Sequence, residues 1–185
     1  MRIIAGNWKG HPIKAVPTQK TRPTGDKIRE AIFQMIGPYF EGGTCLDLFA
    51  GSGALALEAL SRGIDKAILV DIQKSAIDTI HQNIQKLNAQ EVTEVYRTDA
   101  FRALKALHKR ERSFDIIFID PPYHKVSYEK LLEGLASSKV VNPGAFIVCE
   151  HDAAKQVAFP LDDVDCIRRE VYNKTTAVTI FRREF

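Results

Sequence analysis

From residue 44 onward, short apolar runs alternate with amphipathic stretches. The runs lie near 44–49, 67–70, 92–96, 114–119 and 145–149, and the helical-period segments near 54–62, 73–88, 100–110 and 127–138. Continuous apolar runs of this length suit strands buried on both faces, and helices between them bring the strands back parallel. The pattern therefore predicts a doubly wound α/β unit with a mostly parallel sheet. The last stretch, Cys166 to Arg182, holds two alternating runs around Asn173-Lys174 with no helix between them. It predicts an antiparallel hairpin at the sheet edge.

Ahead of this unit, Met1 to Gly6 and Pro12 to Val16 read as two short strands around Asn7-Trp8-Lys9-Gly10. Gly10 suits the positive φ of such a turn, which predicts a small amino-terminal β-hairpin. Between Asp26 and Ile36, the residues Ile28, Ile32, Phe33 and Ile36 recur at helical spacing, with Thr24 as the expected N-cap and Gly37-Pro38 as the stop. The expected organisation is a hairpin extension over residues 1–20 and a main domain over 21–185.

A length of 185 residues with 45% hydrophobic content suffices for one core and a small appendage. The chain has no apolar run of eighteen residues and no apolar leader after Met1, so a soluble cytoplasmic protein is expected. Cys45, Cys149 and Cys166 lack metal-ligand spacing, and the first two fall inside apolar runs, as core thiols do. The net charge of +3 conceals an asymmetry: residues 1–30 carry seven basic and two acidic side chains, a local +5 that leaves −2 for the rest. A basic end on a slightly acidic body suits a phosphate backbone.

Two motifs carry candidate chemistry. Asp47-Leu48-Phe49-Ala50-Gly51-Ser52-Gly53 forms a glycine-rich turn after the first strand, and Asp71 ends the second, 18 residues after Gly53. The run from Gly51 to Ala56 fits the dinucleotide fingerprint G-x-G-x-x-A, so taken alone it suits NAD. The second motif, Asp120-Pro121-Pro122-Tyr123, closes the apolar run 114–119 and has no task in hydride transfer. It suits methyl transfer to an amino nitrogen. The lone pair of an exocyclic amine is delocalised into its ring, and acceptors are needed to draw density back onto nitrogen. Asp120 supplies a side-chain acceptor, Pro121 a backbone acceptor on a proline-stiffened turn, and Tyr123 a flat face for an extruded base. S-adenosylmethionine is then the expected cofactor. Asp47 is placed for its ammonium, Phe49, Ala50, Gly51, Ser52 and Gly53 for close backbone approach, Asp71 for both ribose hydroxyls, and Asp99-Ala100 for the adenine. No metal is required.

Met1 to Gly6, Lys9-Gly10, Thr21-Arg22-Pro23-Thr24, Asp26 to Glu30, Leu46 to Gly53 and Asp120 to Tyr123 together resemble the RsmD family, bacterial small-subunit ribosomal RNA guanine-N2 methyltransferases. The resemblance covers nearly the whole chain, and the Thr-Arg-Pro-Thr segment is its discriminating part. It implies a Rossmann-like methyltransferase that places one methyl on N2 of a specific guanine in 16S ribosomal RNA, within the small subunit or an assembly intermediate. Arg2, Lys9, Arg22 and Thr24 would then lie near the RNA. His11 and Lys27 stand where many relatives carry arginine, and neither offers its bidentate fork. Trp8 either stacks on a base or covers the hairpin, and His124 is expected to be an exposed loop residue. The competing readings are a DNA adenine-N6 or cytosine-N4 methyltransferase, for whose recognition domain the chain lacks room, and a non-enzymatic RNA-binding assembly factor. The intact set of Asp47, Asp71 and Asp120 favours activity over the latter.

Overall fold

The computed structural model describes residues 1–17, 25–122 and 125–185. In chain order its principal elements are α1 Asp26–Ile36, β1 Thr44–Asp47, α2 Ala54–Ser61, β2 Lys66–Asp71, α3 Lys74–Lys86, β3 Thr93–Arg97, α4 Ala100–Lys109, β4 Phe114–Ile119, α5 Tyr128–Ser137, β5 Val141–Asp152, β6 Val164–Tyr172 and β7 Thr176–Arg183. The seven strands form one sheet in the order β3-β2-β1-β4-β5-β7-β6. All pairs from β3 to β5 are parallel, and β7 pairs antiparallel with both β5 and β6. Asn173 and Lys174, both at positive φ, turn the terminal hairpin. Its position, with β6 on the edge, is the one the sequence predicts.

Two buried apolar clusters line the sheet. One gathers Ile32, Phe33 and Ile36 of α1, the apolar side chains of α2, and Ile80 and Ile84 of α3, packed with Cys45 and Phe118. The other sets Ala103, Leu104 and Leu107 of α4 and Leu131, Leu132 and Leu135 of α5 against Leu46, Ile117 and Ile147. Alternation along β1 and β4 feeds both clusters, which is why these strands read as unbroken apolar runs. Each fully buried Phe or Leu contributes about 1.5–3 kcal/mol of transfer free energy.

Three local expectations change. The fifth strand extends well beyond 145–149, because Asn142-Pro143-Gly144 belongs to it; Gly144 at φ 78 and a shift in the β4–β5 register let these turn-forming residues continue the strand. Helix α1 is capped at Gly25 with no side-chain cap, and Thr24, the expected cap, lies outside the described residues. The amino-terminal hairpin closes through one antiparallel bridge, Arg2 with Pro12, instead of two regular strands. Ile3 and Ile13 of this hairpin sit in the main core, with Trp8 partly buried against it. The hairpin is thus seated on the body, and Trp8 helps cover it.

Candidate active site

The strand order reverses between β1 and β4, which are direct neighbours although β2 and β3 intervene in sequence. In an open α/β sheet the crevice at the carboxyl ends of such strands is where ligands bind. The glycine turn leaves β1 at this point. Leu48 donates its N–H to the Phe118 carbonyl and Ala50 to that of Val70, so the turn is anchored to the strand on each side. Gly53 at φ 85 caps α2, and a Cβ there would come within 3.1 Å of Leu69. Gly51, at φ 57, faces open space: no atom lies within 4 Å of where its Cβ would be. That gap leaves the main chain accessible to a ligand.

Four acidic residues stand at the carboxyl ends of four adjacent strands: Asp71 on β2, Asp47 on β1, Asp120 after β4 and Glu150 on β5. Asp47 is buried at 2% exposure, and the backbone N–H groups of Phe49 and Ala56 lie near its carboxyl. Burial and then the charge of Asp71 push its pKa up to about 7, against the lowering effect of those two donors. The Asp71 carboxylate accepts the Gly51 N–H at 2.9 Å and the Gln73 N–H at 2.9 Å. It holds the glycine turn in place with lone pairs to spare. Asp120 keeps some exposed surface as a residue, yet the protein packed around its carboxyl, followed by the charge of Glu150, raises its pKa well above the carboxylate range. Pro121 beside it is buried. This set of acidic acceptors suits a ligand that brings positive charge.

Of the expected cofactor residues, Asp47, Gly51, Ser52, Gly53 and Asp71 converge on the glycine turn, with Ala50 and Ser52 buried and Phe49 packed on the α4–α5 side. Asp99 serves as N-cap of α4, its side chain accepting the Arg102 N–H at 3.0 Å, and Ala100 is buried as the first residue of that helix. Tyr123, His124, Arg22 and Thr24 lie outside the described residues. On the hairpin, Lys9 is exposed, whereas Arg2 donates to the Gly10 carbonyl at 2.7 Å. A groove of about 480 Å³ runs beside it, lined by Arg2, Lys14 and Lys86 together with Asp26.

Sequence reasoning missed the residues that join these parts. Glu58 is fully buried on α2, accepts the N–H groups of Ile4 and Ala5, and pairs with Arg62 at 2.8 Å and Arg29 at 3.5 Å. A lone acid in the apolar helix Ala-Leu-Ala-Leu-Glu-Ala-Leu-Ser was the available signal. Asn83, also fully buried, bonds to both the N–H and carbonyl of Lys14 and donates to the Ser52 carbonyl at 2.9 Å. One amide thereby ties the amino-terminal segment to the glycine turn. Tyr128 places its hydroxyl 3.0 Å from the Ile119 carbonyl and 2.8 Å from that of Glu150, clamping the ends of β4 and β5.

The chain is similar to known proteins over nearly its whole length. "Putative rRNA methyltransferase YlbH" of Bacillus subtilis is 45% identical over 99% of both chains. "Ribosomal RNA small subunit methyltransferase D" of Buchnera aphidicola subsp. Acyrthosiphon pisum is 38% identical over 85% of this chain and 81% of its own. Among solved structures, "Putative methyltransferase yhhF" from Escherichia coli superposes with a TM-score of 0.85 at 28% identity, covering 100% of this chain and 98% of that one. The family model described as "Conserved hypothetical protein 95" matches residues 1–181, and with relatives of this identity the chain belongs to that family, the RsmD methyltransferases.

Proposed function

We propose that this protein transfers a methyl group from S-adenosylmethionine to the exocyclic N2 amine of one guanine in 16S ribosomal RNA, within the small subunit or an assembly intermediate. The observation that carries the reading is the juxtaposition at the strand crossover. Asp120, an acceptor for an amine, lies close enough to Asp47 beside the glycine turn for their charges to interact. When bound, S-adenosylmethionine supplies an electrophilic methyl on a positively charged sulfur. Asp47 and Asp71 would hold it, the former at its ammonium and the latter at its ribose hydroxyls, while the open face of Gly51 admits close approach. Asp120 and the Pro121 carbonyl accept hydrogens from the target amine, which localises the nitrogen lone pair and aims it at the methyl. Alignment and these pre-set acceptors supply most of the acceleration. Residues 1–20 act as an RNA-docking extension of the catalytic domain over 21–185, with Arg2, Lys9, Arg22 and Thr24 toward the RNA and Tyr123 stacking on the extruded base. The relatives named as ribosomal RNA methyltransferases support the substrate class.

Mapping methylated guanines in 16S ribosomal RNA from cells with and without the protein tests the substrate. One N2-methylguanine should vanish and return on complementation. In single-turnover assays Asp120→Ala should lose about 2.7–4 kcal/mol of transition-state stabilisation, as when one such hydrogen-bonding group is removed. Asp120→Asn should lose less, because an amide oxygen still accepts. An unchanged methylation map, or an alanine variant at the wild-type rate, would refute this function.

A further inference from the structure

Glu150 has no part in the chemistry so far, yet its carboxyl is a close neighbour of that of Asp120. The sheet produces this pairing. Ile119 of β4 is in register with Cys149 of β5, so the following residues, Asp120 and Glu150, emerge side by side. Tyr128 of α5, bridging the carbonyls of Ile119 and Glu150, fixes the two strand ends relative to each other. Two ionised carboxylates set side by side have only acceptors and repel each other, which favours one proton held by the pair.

We propose that Glu150 is the positioning residue for Asp120: it accepts the hydrogen of the Asp120 carboxyl, so that the other Asp120 oxygen is held as an uncharged acceptor aimed at the substrate amine. This rests on the amino-methyl-transfer reading and specifies the protonation state in which its acceptor works. An asparagine at 120 would present the same arrangement, with its N–H₂ toward Glu150 and its oxygen toward the amine.

The surroundings keep the proton in place. Burial of Asp120, the charge of Glu150 and the charge of Asp47 from β1 all favour the protonated form, with Asp71 on β2 beyond Asp47. Among the described residues, three titratable neighbours of the pair stay uncharged at neutral pH. Burial raises the Tyr128 hydroxyl of α5 well above its ordinary value and the Cys149 thiol of β5 to about 12, so both stay neutral. His151 of β5 is lowered by burial; its Nδ1 donates to the Asp152 carbonyl and its Nε2 accepts from the Thr179 hydroxyl of β7 at 2.7 Å.

The test combines a titration that needs no substrate with a rate measurement. Protein labelled with ¹³C at the aspartate carboxyls is titrated by NMR as wild type and as Glu150→Gln, with the Asp120 signal assigned from Asp120→Asn. Asp120 should titrate above the ordinary carboxylate range in the wild type. In Glu150→Gln its midpoint should fall by at least one pH unit, because the amide carries no charge and donates to an ionised Asp120. In single-turnover methylation of small-subunit particles, Glu150→Ala should be at least tenfold slower. Glu150→Gln should recover most of the rate only at the lower pH where Asp120 is again protonated, so that the pH profile is displaced in the direction seen by NMR. An Asp120 midpoint unmoved by Glu150→Gln overturns the inference, as does wild-type speed in both variants. The NMR arm reads the pair even if ribosomal RNA proves to be the wrong substrate, so the two failures are distinguishable.

Discussion

Lowering the pH from 8 to 6 should weaken S-adenosylhomocysteine binding about tenfold, and Asp47→Asn should abolish that dependence. With a pKa of about 7 in the free protein, Asp47 is mostly ionised at the upper pH and mostly protonated at the lower. If only the carboxylate meets the ligand ammonium, the competent fraction falls roughly tenfold, or about 1.4 kcal/mol. Fold stability should run the other way. The folded-state pKa is raised from 3.8 to about 7, so the contribution of this group is fully present below the unfolded value and is lost as pH rises through the folded one. About three pH units correspond to roughly 4 kcal/mol, so ligand-free wild type should gain stability relative to Asp47→Asn as pH falls from 8 to 5. Calorimetry at both pH values, in two buffers of different ionisation enthalpy, would show tighter binding at pH 8 and proton release at pH 6. Equal affinities with no proton release would refute the account of Asp47.

Asp71→Ala should weaken S-adenosylhomocysteine binding by roughly ten- to a hundredfold, the value of about 1.5–3 kcal/mol in hydrogen bonds to a charged acceptor, as measured by calorimetry with NAD as the control. Glu58→Ala should destabilise the fold by about 3–5 kcal/mol in urea denaturation, since it strands the buried Arg29 and Arg62 together with the N–H groups of Ile4 and Ala5. Lys9→Gln should leave the fold and cofactor affinity unchanged. It should lower RNA affinity and flatten its log–log salt dependence by about 0.7–0.9, and an unchanged slope would remove Lys9 from the interface.

The features legible in the sequence were those written in contiguous residues. Gly10 announced positive φ, the glycines at 51 and 53 announced the turn that leaves the first strand, the apolar runs announced strands buried on both faces, and Asn173-Lys174 announced the final turn. The side chains that assemble the site depend on contacts between distant segments. Asn83 meets Lys14 and Ser52 only after α3 packs beside the glycine turn, and Glu150 meets Asp120 only through a β4–β5 register set some thirty residues apart. Their local signals were weak, because a polar residue on a helix or at a strand end is ordinary until its burial is known. The amino-terminal hairpin shows the same limit: Ile3 and Ile13 read locally only as strand residues, and their place in the main core follows from how the hairpin seats on the body.

The acidic row across β2, β1, β4 and β5 bears on how a catalytic cycle would end. It is built from four separate strands, so the sheet itself places the negative potential at the crevice, independently of the loops that would select an RNA. In the proposed reaction the donor enters with a positive sulfonium and leaves as a neutral thioether. The field that draws in the charged donor then exerts less hold on its spent form, by Coulomb's law. Exchange of old cofactor for new would be favoured by the discharge itself, without a lid or a moving domain.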